Sequence, residues 1–329
     1  MITVICPVFN EAAYISSVLD FYIKALPADK ELIVIDGNST DATCSIIEQF
    51  QSKHDGITLL HNPDRYVPFA LNKAIVAAKG DIVVRLDAHT DYDIDYFVRI
   101  QETFDKTGAD IVGGPMRIAK GNDIQNAIGY ATSTVFGVGN SSFHFEDFEG
   151  YTDSVYLGAW KRNIFEKTGL FDTAFKRNQD DEFHYRAKSL GFTVYQDPSI
   201  RLYYHPRKKL ELLFSQYYQY GLFKPLVLKK IKSAVNPRHI IPSLFVLYLL
   251  TLPVMLLVGF YPALIPLVLY FLAAFMFAIT SKRSVKEICI IPIVYFTLHV
   301  AYGSGFIAGL FTKTAIKTSE NKKQLIISN

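Results

Sequence analysis

Along residues 1–120, short apolar runs alternate with stretches in which apolar positions recur at helical spacing. The runs at 2–6, 31–35, 56–60 and 81–86 read as buried strands, being of strand length and nearly unbroken. Between them, 11–26, 43–51 and 69–79 carry the helical spacing, and Gly80 closes the last of these. Strand and helix in alternation predict an α/β fold, a mostly parallel sheet with helices on both faces.

Beyond residue 110 the pattern is less regular. A strand is expected at 110–115, ending in Gly113-Gly114-Pro115, and a flexible loop at 137–142. A short helix spans 180–190, closed by Gly191, and a further strand spans 193–196. From 207 to 235 basic residues interleave with Leu, Phe and Tyr, the pattern of helices lying in a membrane interface with lysines reaching anionic headgroups. Three long apolar stretches follow at 240–259, 261–280 and 288–311. A hydrocarbon core of ~30 Å needs about 20 residues, so each is long enough to cross. Buried core helices are the alternative, and the absence of charge over 240–280 argues against it. The chain thus divides into a domain at 1–205, a basic interfacial segment at 206–238, a membrane region at 239–312 and a polar tail at 313–329.

Charge orients this arrangement. Arg207, Lys208, Lys209, Lys224, Lys229, Lys230, Lys232 and Arg238 precede the first apolar stretch, which places that side in the cytoplasm. Lys282, Arg283 and Lys286 agree with a hairpin. Lys313, Lys317, Lys322 and Lys323 would lie on the opposite face after three full crossings, unless the third segment, with Gly303, Gly305 and Gly309, is re-entrant. Three crossings are expected. Residues 1–6 are too short for a secretory signal and lead into Pro7, so the first domain is expected to be cytoplasmic, on an inner membrane. The net charge of +3 is too small to imply nucleic-acid binding. Cys6, Cys44 and Cys289 have no metal-ligand spacing and read as free thiols in a reducing compartment.

In open α/β sheets, ligands bind beyond the carboxyl ends of the strands. Here those ends carry Pro7-Val8-Phe9-Asn10-Glu11, Asp36-Gly37-Asn38-Ser39-Thr40-Asp41 and Asp87-Ala88-His89. Asp36 is placed to bond a nucleoside; a turn or helix cap is the competing reading. Asp87 and His89, two apart in extended chain, point to one side and could share a Mg²⁺ or Mn²⁺ ion. Asp91-Tyr92-Asp93-Ile94-Asp95 invites a calcium loop, but the sixth loop position is Tyr96 where the turn requires Gly, so an acid-rich helix start is preferred. Gln179-Asp180-Asp181-Glu182-Phe183 opens a helix; its acids either complement the helix dipole or supply a general base. His205 either completes the metal site or is a structural histidine.

Taken together, Cys6-Pro7-Val8-Phe9-Asn10-Glu11, the Asp36–Asp41 stretch, Arg85-Leu86-Asp87-Ala88-His89 and Gln179-Asp180-Asp181-Glu182-Phe183 resemble, in order and spacing over 1–205, the family 2 glycosyltransferases with the Rossmann-like GT-A fold. The subgroup most resembled, through Tyr156-Leu157-Gly158-Ala159-Trp160 and the membrane region, is that of succinoglycan-type bacterial exopolysaccharide enzymes. The resemblance implies that Pro7, Phe9 and Glu11 border the nucleobase, Asp36 bonds base or ribose, and Asp87 is the metal-binding acid. It also implies that Asp180 is the catalytic base with Glu182 the acid two places on, in an inverting displacement from a nucleotide-sugar, a UDP-sugar by expectation. The acceptor is expected to be a lipid-linked saccharide, and the partners polysaccharide-assembly proteins. His89 departs from the family's second Asp. The Gln-x-x-Arg-Trp motif of processive synthases is absent near Gln216-Tyr217-Tyr218-Gln219-Tyr220, which favours single-sugar addition. Donor selectivity is expected around Gly113-Gly114-Pro115, Asp153 and Trp160. The alternatives are a nucleotidyltransferase, which lacks its basic Gly-rich loop here, and an inactive membrane scaffold.

Overall fold

The computed structural model describes residues 1–231 and 236–312. Lys232 and the tail with Lys313, Lys317, Lys322 and Lys323 lie outside the described residues, and so does the side of the membrane that tail would occupy.

The alternating half of the chain folds as expected. Strand β1 (Ile2–Val8) pairs in parallel with β2 (Lys30–Asp36), and β2 with β3 (Ile57–His61). On its other side β1 pairs in parallel with β4 (Ile82–Arg85). Helices α1 (Ile15–Lys24), α2 (Thr43–Gln51) and α3 (Val67–Ala77) connect these strands. Val4, Ile5, Leu32, Val34 and Val84 are fully buried between the helical layers, so the strands read as continuous apolar runs.

The sheet is mixed: four of its seven pairings are parallel, as expected, and three are antiparallel. After the short strand β5 (Thr90–Tyr92) and α4 (Tyr96–Thr107), β6 (Ile111–Gly113) belongs to the main sheet and β7 (Met116–Ile118), like β5, to a small second one. Helices α5 (Asp123–Thr132) and α6 (Val135–Val138) come next, then strands β8 (Gly150–Tyr151) and β9 (Ala159–Lys161). β9 inserts antiparallel between β4 and β6, which widens the sheet to the order β3-β2-β1-β4-β9-β6-β10-β8 with β10 at Val194–Gln196. The loop expected at 137–142 is in part helical: α6 is capped by Thr134, whose side chain accepts from Gly137 N–H at 3.2 Å. Strand β11 (Leu202–Tyr204) lies between β5 and β7 in the small sheet. Between β9 and β10 stand α7 (Ile164–Thr168) and α8 (Gln179–Ser189).

The basic segment forms one helix, α9 (Leu210–Lys230). The apolar stretches form α10 (Ile241–Leu257), α11 (Ile265–Thr280) and α12 (Val285–Phe311). Each, with the turn before it where there is one, is long and apolar enough to cross a membrane, and only 17% of the most apolar window of each of the first two is buried. α12 is continuous; at 1.5 Å per residue it is about 40 Å long, without the break that a re-entrant segment would have. Its glycines are packing positions. A side chain at Gly303, Gly305 or Gly309 would run into the backbone carbonyls of Pro242, Tyr218 or Leu222, which is how α9 and α10 come so close to α12.

Helix α5 joins the two halves. Asn126 donates to the Glu287 carboxylate at 2.9 Å and the Tyr130 hydroxyl to the Phe277 carbonyl at 2.7 Å. Between these bonds, Ala127, Ile128 and Ala131 share one core with Ala274, Ala278, Ile291 and Leu298. The α/β domain is therefore docked on the apolar helices through a packed, hydrogen-bonded face.

Candidate active site

Strands β1, β2 and β4 end at one edge of the sheet, where their loops border a cleft of about 1750 Å³. Pro7, Phe9, Gly37, Arg65 and Tyr66 form one end, and Arg85, Asp87, His89 and Asp180 the middle. The far end is walled by side chains of the apolar helices, among them Phe245, Tyr270 and Leu298. One cavity thus runs from strand-end loops to the level of the apolar helices.

The first end is built by two loops clasped together. Asn10 N–H donates to Ser39 Oγ at 2.8 Å, Thr40 N–H to Asn10 Oδ1 at 2.8 Å, and Glu11 N–H to Thr43 Oγ1 at 2.8 Å. Asn10 adopts φ +56°, a left-handed turn that Asn tolerates. The clasp leaves Phe9 46% exposed, with the Arg65 guanidinium 6.0 Å from its ring centre. An exposed aromatic face over a polar loop is a stacking platform. Asp36 is placed differently. It is 2% exposed and its carboxylate accepts from Ser39 N–H at 3.2 Å through both oxygens, so it closes the turn while its neighbours Ile35 and Gly37 line the cleft.

Arg85 organises the centre. It is 6% exposed at the end of β4. Its Nε donates to Asp87 at 3.0 Å and its Nη1 to both oxygens of Asp180, at 3.0 and 2.8 Å. Burial works against its charge, but Asp180 and then Asp87 more than offset this, so the guanidinium is held firmly protonated. A second constraint acts on Asp87: its N–H donates to the Tyr92 hydroxyl at 2.7 Å. Two acids 93 positions apart in the chain are thereby set on one fork. Arg85 opens the Arg85–His89 stretch, but the sequence alone assigns a role to neither it nor Tyr92; the signal available for Arg85 is a charged residue at the end of an apolar, buried strand.

The acids that open α8 have separate duties. Successive residues on a helix are turned by about 100°, so consecutive side chains face different neighbours. Asp180 faces the cleft and Arg85. Asp181 pairs with Lys224 of α9 at 2.9 Å. Glu182 is fully buried and does not line the cleft; its carboxylate takes Arg186 at 2.8 Å and Lys230 at 2.7 Å. Of the two acids expected to act together, Asp180 faces the cleft and Glu182 is closed off from it by two cations.

The three side chains expected to hold a metal are also held apart. Asp87 is on Arg85, His89 Nδ1 is 3.4 Å from Glu11, and His205 Nε2 is 2.8 Å from Asp91. Among the described residues no three His, Cys, Asp or Glu side chains gather closely enough to hold an ion. A cation at a nucleotide diphosphate, however, takes one or two protein carboxylates and completes its shell from phosphate and water. Asp87, with His89 beside it on the same wall, fits that requirement; His205 also lines the cleft and is paired with Asp91. The hydrogen bond that His89 donates to Glu11 raises its imidazole above its ordinary value, against burial and aided by Asp87. The residues expected to set donor selectivity do not line the cleft: Trp160 is fully buried in the core, and Asp153 pairs with Lys188.

Comparison with known proteins agrees with this architecture. The chain is 28% identical over 242 residues to the succinoglycan biosynthesis protein ExoA of Rhizobium meliloti, covering 73% of each chain. It is 28% identical over 321 residues to the dolichyl N-acetyl-alpha-D-glucosaminyl phosphate 3-beta-D-2,3-diacetamido-2,3-dideoxy-beta-D-glucuronosyltransferase of Methanococcus voltae, covering 94% of this chain and 97% of that one. Among solved structures, the mannosyltransferase PcManGT of Pyrobaculum calidifontis, in complex with GDP-Man and Mn²⁺, superposes with a TM-score of 0.68 at 21% identity, over 95% of this chain and 87% of that one. Its fold is the GT-A-like fold described above. Glycosyl transferase family 2 matches residues 3–169, half of the chain, and the chain belongs to that family of glycosyltransferases.

Proposed function

We propose that this glycosyltransferase moves one sugar, with inversion, from a nucleotide-diphosphate donor to a hydroxyl of a lipid-linked saccharide. The observation that carries the reading is the cleft itself: a stacking platform at one end, Asp180 and Asp87 on one guanidinium in the middle, and apolar helices at the other end. The donor's base lies on Phe9 with Pro7 and Glu11 beside it, and its diphosphate faces Asp87. Asp36, closing its turn, holds the loop that receives the nucleoside. A divalent cation, Mg²⁺ or Mn²⁺, held by Asp87 and His89 would neutralise charge on the departing diphosphate. Mn²⁺ in the complex of PcManGT supports this.

Asp180 accepts the proton of the acceptor hydroxyl. The acceptor oxygen then bonds to the anomeric carbon from the face opposite the diphosphate. The bond from that carbon to the diphosphate breaks, and the nucleoside diphosphate leaves with the electron pair. Arg85 keeps the base and the diphosphate-facing acid at a fixed separation through the step.

The named substrate of the Methanococcus voltae relative, a dolichyl-linked sugar phosphate, supports a lipid-linked acceptor, and the Rhizobium meliloti relative supports a place in polysaccharide assembly. The basic residues flanking the first span support a cytoplasmic catalytic domain on an inner membrane. The nucleotidyl-transfer alternative falls with the family assignment. To test the proposal, purified full-length protein is incubated with a panel of nucleotide-sugars and native membrane lipids. Sugar incorporation into the lipid fraction is expected. Nucleotide-sugar binding without hydrolysis or transfer to any lipid would favour the inactive scaffold.

A further inference from the structure

Where the cleft meets the apolar helices, a second polar group of side chains stands beside Asp180. Arg238 and His239 occupy a 3-10 turn (Pro237–His239) that leads into α10, Lys224 is on α9 and Tyr302 on α12; all four line the cleft. His239 is 5% exposed and lies within Coulombic reach of Lys224, Arg238 and Asp181. Arg238 Nε donates to His239 Nε2 at 3.3 Å. A guanidinium can only donate, so His239 Nε2 accepts and the ring's proton sits on Nδ1. That Nδ1–H is buried and has no hydrogen-bond partner among the described residues, and the same is true of the Tyr302 hydroxyl. Buried donors left without acceptors are costly, by roughly 1–3 kcal/mol each, so such a pair in a cleft wall points to a ligand that accepts.

The charge balance indicates which kind. Lys224 is neutralised by Asp181 at 2.9 Å. Arg238 is half-buried and has no carboxylate partner among the described residues; its Nη1 donates to the neutral Asn140 at 3.2 Å. One uncompensated guanidinium and two unpartnered donors, at the mouth of an apolar passage, suit an oxyanion fixed to a lipid.

We infer that Arg238, His239 Nδ1–H and the Tyr302 hydroxyl bind the phosphate or diphosphate that joins the acceptor's lipid to its sugar. This rests on the lipid-linked acceptor proposed above and narrows it to phosphate-linked lipids. These groups line the same cleft as Asp180, and so do Phe245 and Tyr270 of the apolar helices, which suit the lipid chain. The site then selects acceptors by their linkage rather than by their sugar.

The test uses the full chain in phosphatidylcholine nanodiscs and the equilibrium binding of a radiolabelled long-chain isoprenoid phosphate, the matching isoprenoid alcohol serving as control. Wild-type protein is expected to bind the phosphate at least about tenfold more tightly than the alcohol, the scale of one charge-assisted hydrogen bond. Arg238→Gln and Tyr302→Phe, the latter removing a single oxygen, should each narrow that gap. Equal binding of phosphate and alcohol, or a gap unchanged in both variants, would overturn the inference. So would displacement of the isoprenoid phosphate by phosphatidylglycerol or inorganic phosphate at equal concentration, because the site would then be one for bulk lipid or free anion. Binding of nucleoside diphosphate by the wild-type sample is measured alongside: its absence counts against the transferase reading, whereas nucleotide binding without lipid discrimination counts against this site alone.

Discussion

Arg85 Nη1 lies 3.0 and 2.8 Å from the two carboxylate oxygens of Asp180, a grip that joins the end of strand β4 to the first turn of helix α8. Because the same guanidinium also holds Asp87, the base and the diphosphate-facing acid are positioned by one side chain. Arg85→Met should therefore lower kcat by about 10²-fold, the scale of a one-ångström misplacement. Nucleoside diphosphate affinity, set at Phe9, should change much less. Single-turnover kinetics with a saturating donor reads the two separately, and a variant with unchanged kcat would contradict the positioning role.

Glu182 provides a contrast within the same helix turn. Its buried carboxylate closes on Arg186 and Lys230; Lys230 keeps Asp172 at 2.7 Å, but Arg186 loses its carboxylate, so Glu182→Gln should cost roughly 3 kcal/mol of stability. Thermal melting in detergent checks the loss. A Glu182→Gln protein that melts like wild type yet has no activity would restore a chemical role to this residue.

The Asp181–Lys224 pair ties α8 to α9 and carries a pH signature. Burial alone would raise the Asp181 carboxyl, but Lys224 reverses this and holds it below its ordinary 3.8. A carboxyl depressed in the folded state contributes stability that is present above its unfolded value and lost as pH falls through the folded one. The melting-temperature difference between wild type and Asp181→Asn should be constant from neutral pH down to about 4 and should shrink below it. A difference that grew on acidification would have the wrong sign.

Phe9 is the proposed base platform. Loss of a base-stacking ring costs about 1–3 kcal/mol, so Phe9→Ala should weaken nucleoside diphosphate binding roughly 5- to 150-fold. Isothermal calorimetry with the free nucleotide measures this without the acceptor, and unchanged affinity would move the base elsewhere in the cleft.

The parts of this protein governed by local periodicity were legible from its sequence. Strands β1, β2 and β4, helices α1 to α3 and the three apolar helices lie within a few residues of where pattern places them, because each buries a continuous face or is apolar along its whole length. The antiparallel insertion of β9 between β4 and β6 was not legible, since three residues, Ala159–Lys161, have no period to read and their pairing is decided by long-range contact. The same limit applies to the site. Consecutive acids at 180–182 look alike in sequence and are distinguished by the partners that helix geometry gives them: Arg85, Lys224 and the Arg186–Lys230 pair. Likewise Asp87, His89 and His205 are equivalent as donors until Asp91 is found on His205.

The central claim is that Asp180 takes the proton of the acceptor hydroxyl. The most direct measurement is the single-turnover transfer rate of Asp180→Asn with donor and acceptor both saturating, nucleoside diphosphate binding being confirmed on the same sample. The account predicts a rate lowered by about 10²- to 10⁴-fold with donor binding retained. A variant that binds donor and transfers sugar at the wild-type rate would contradict it.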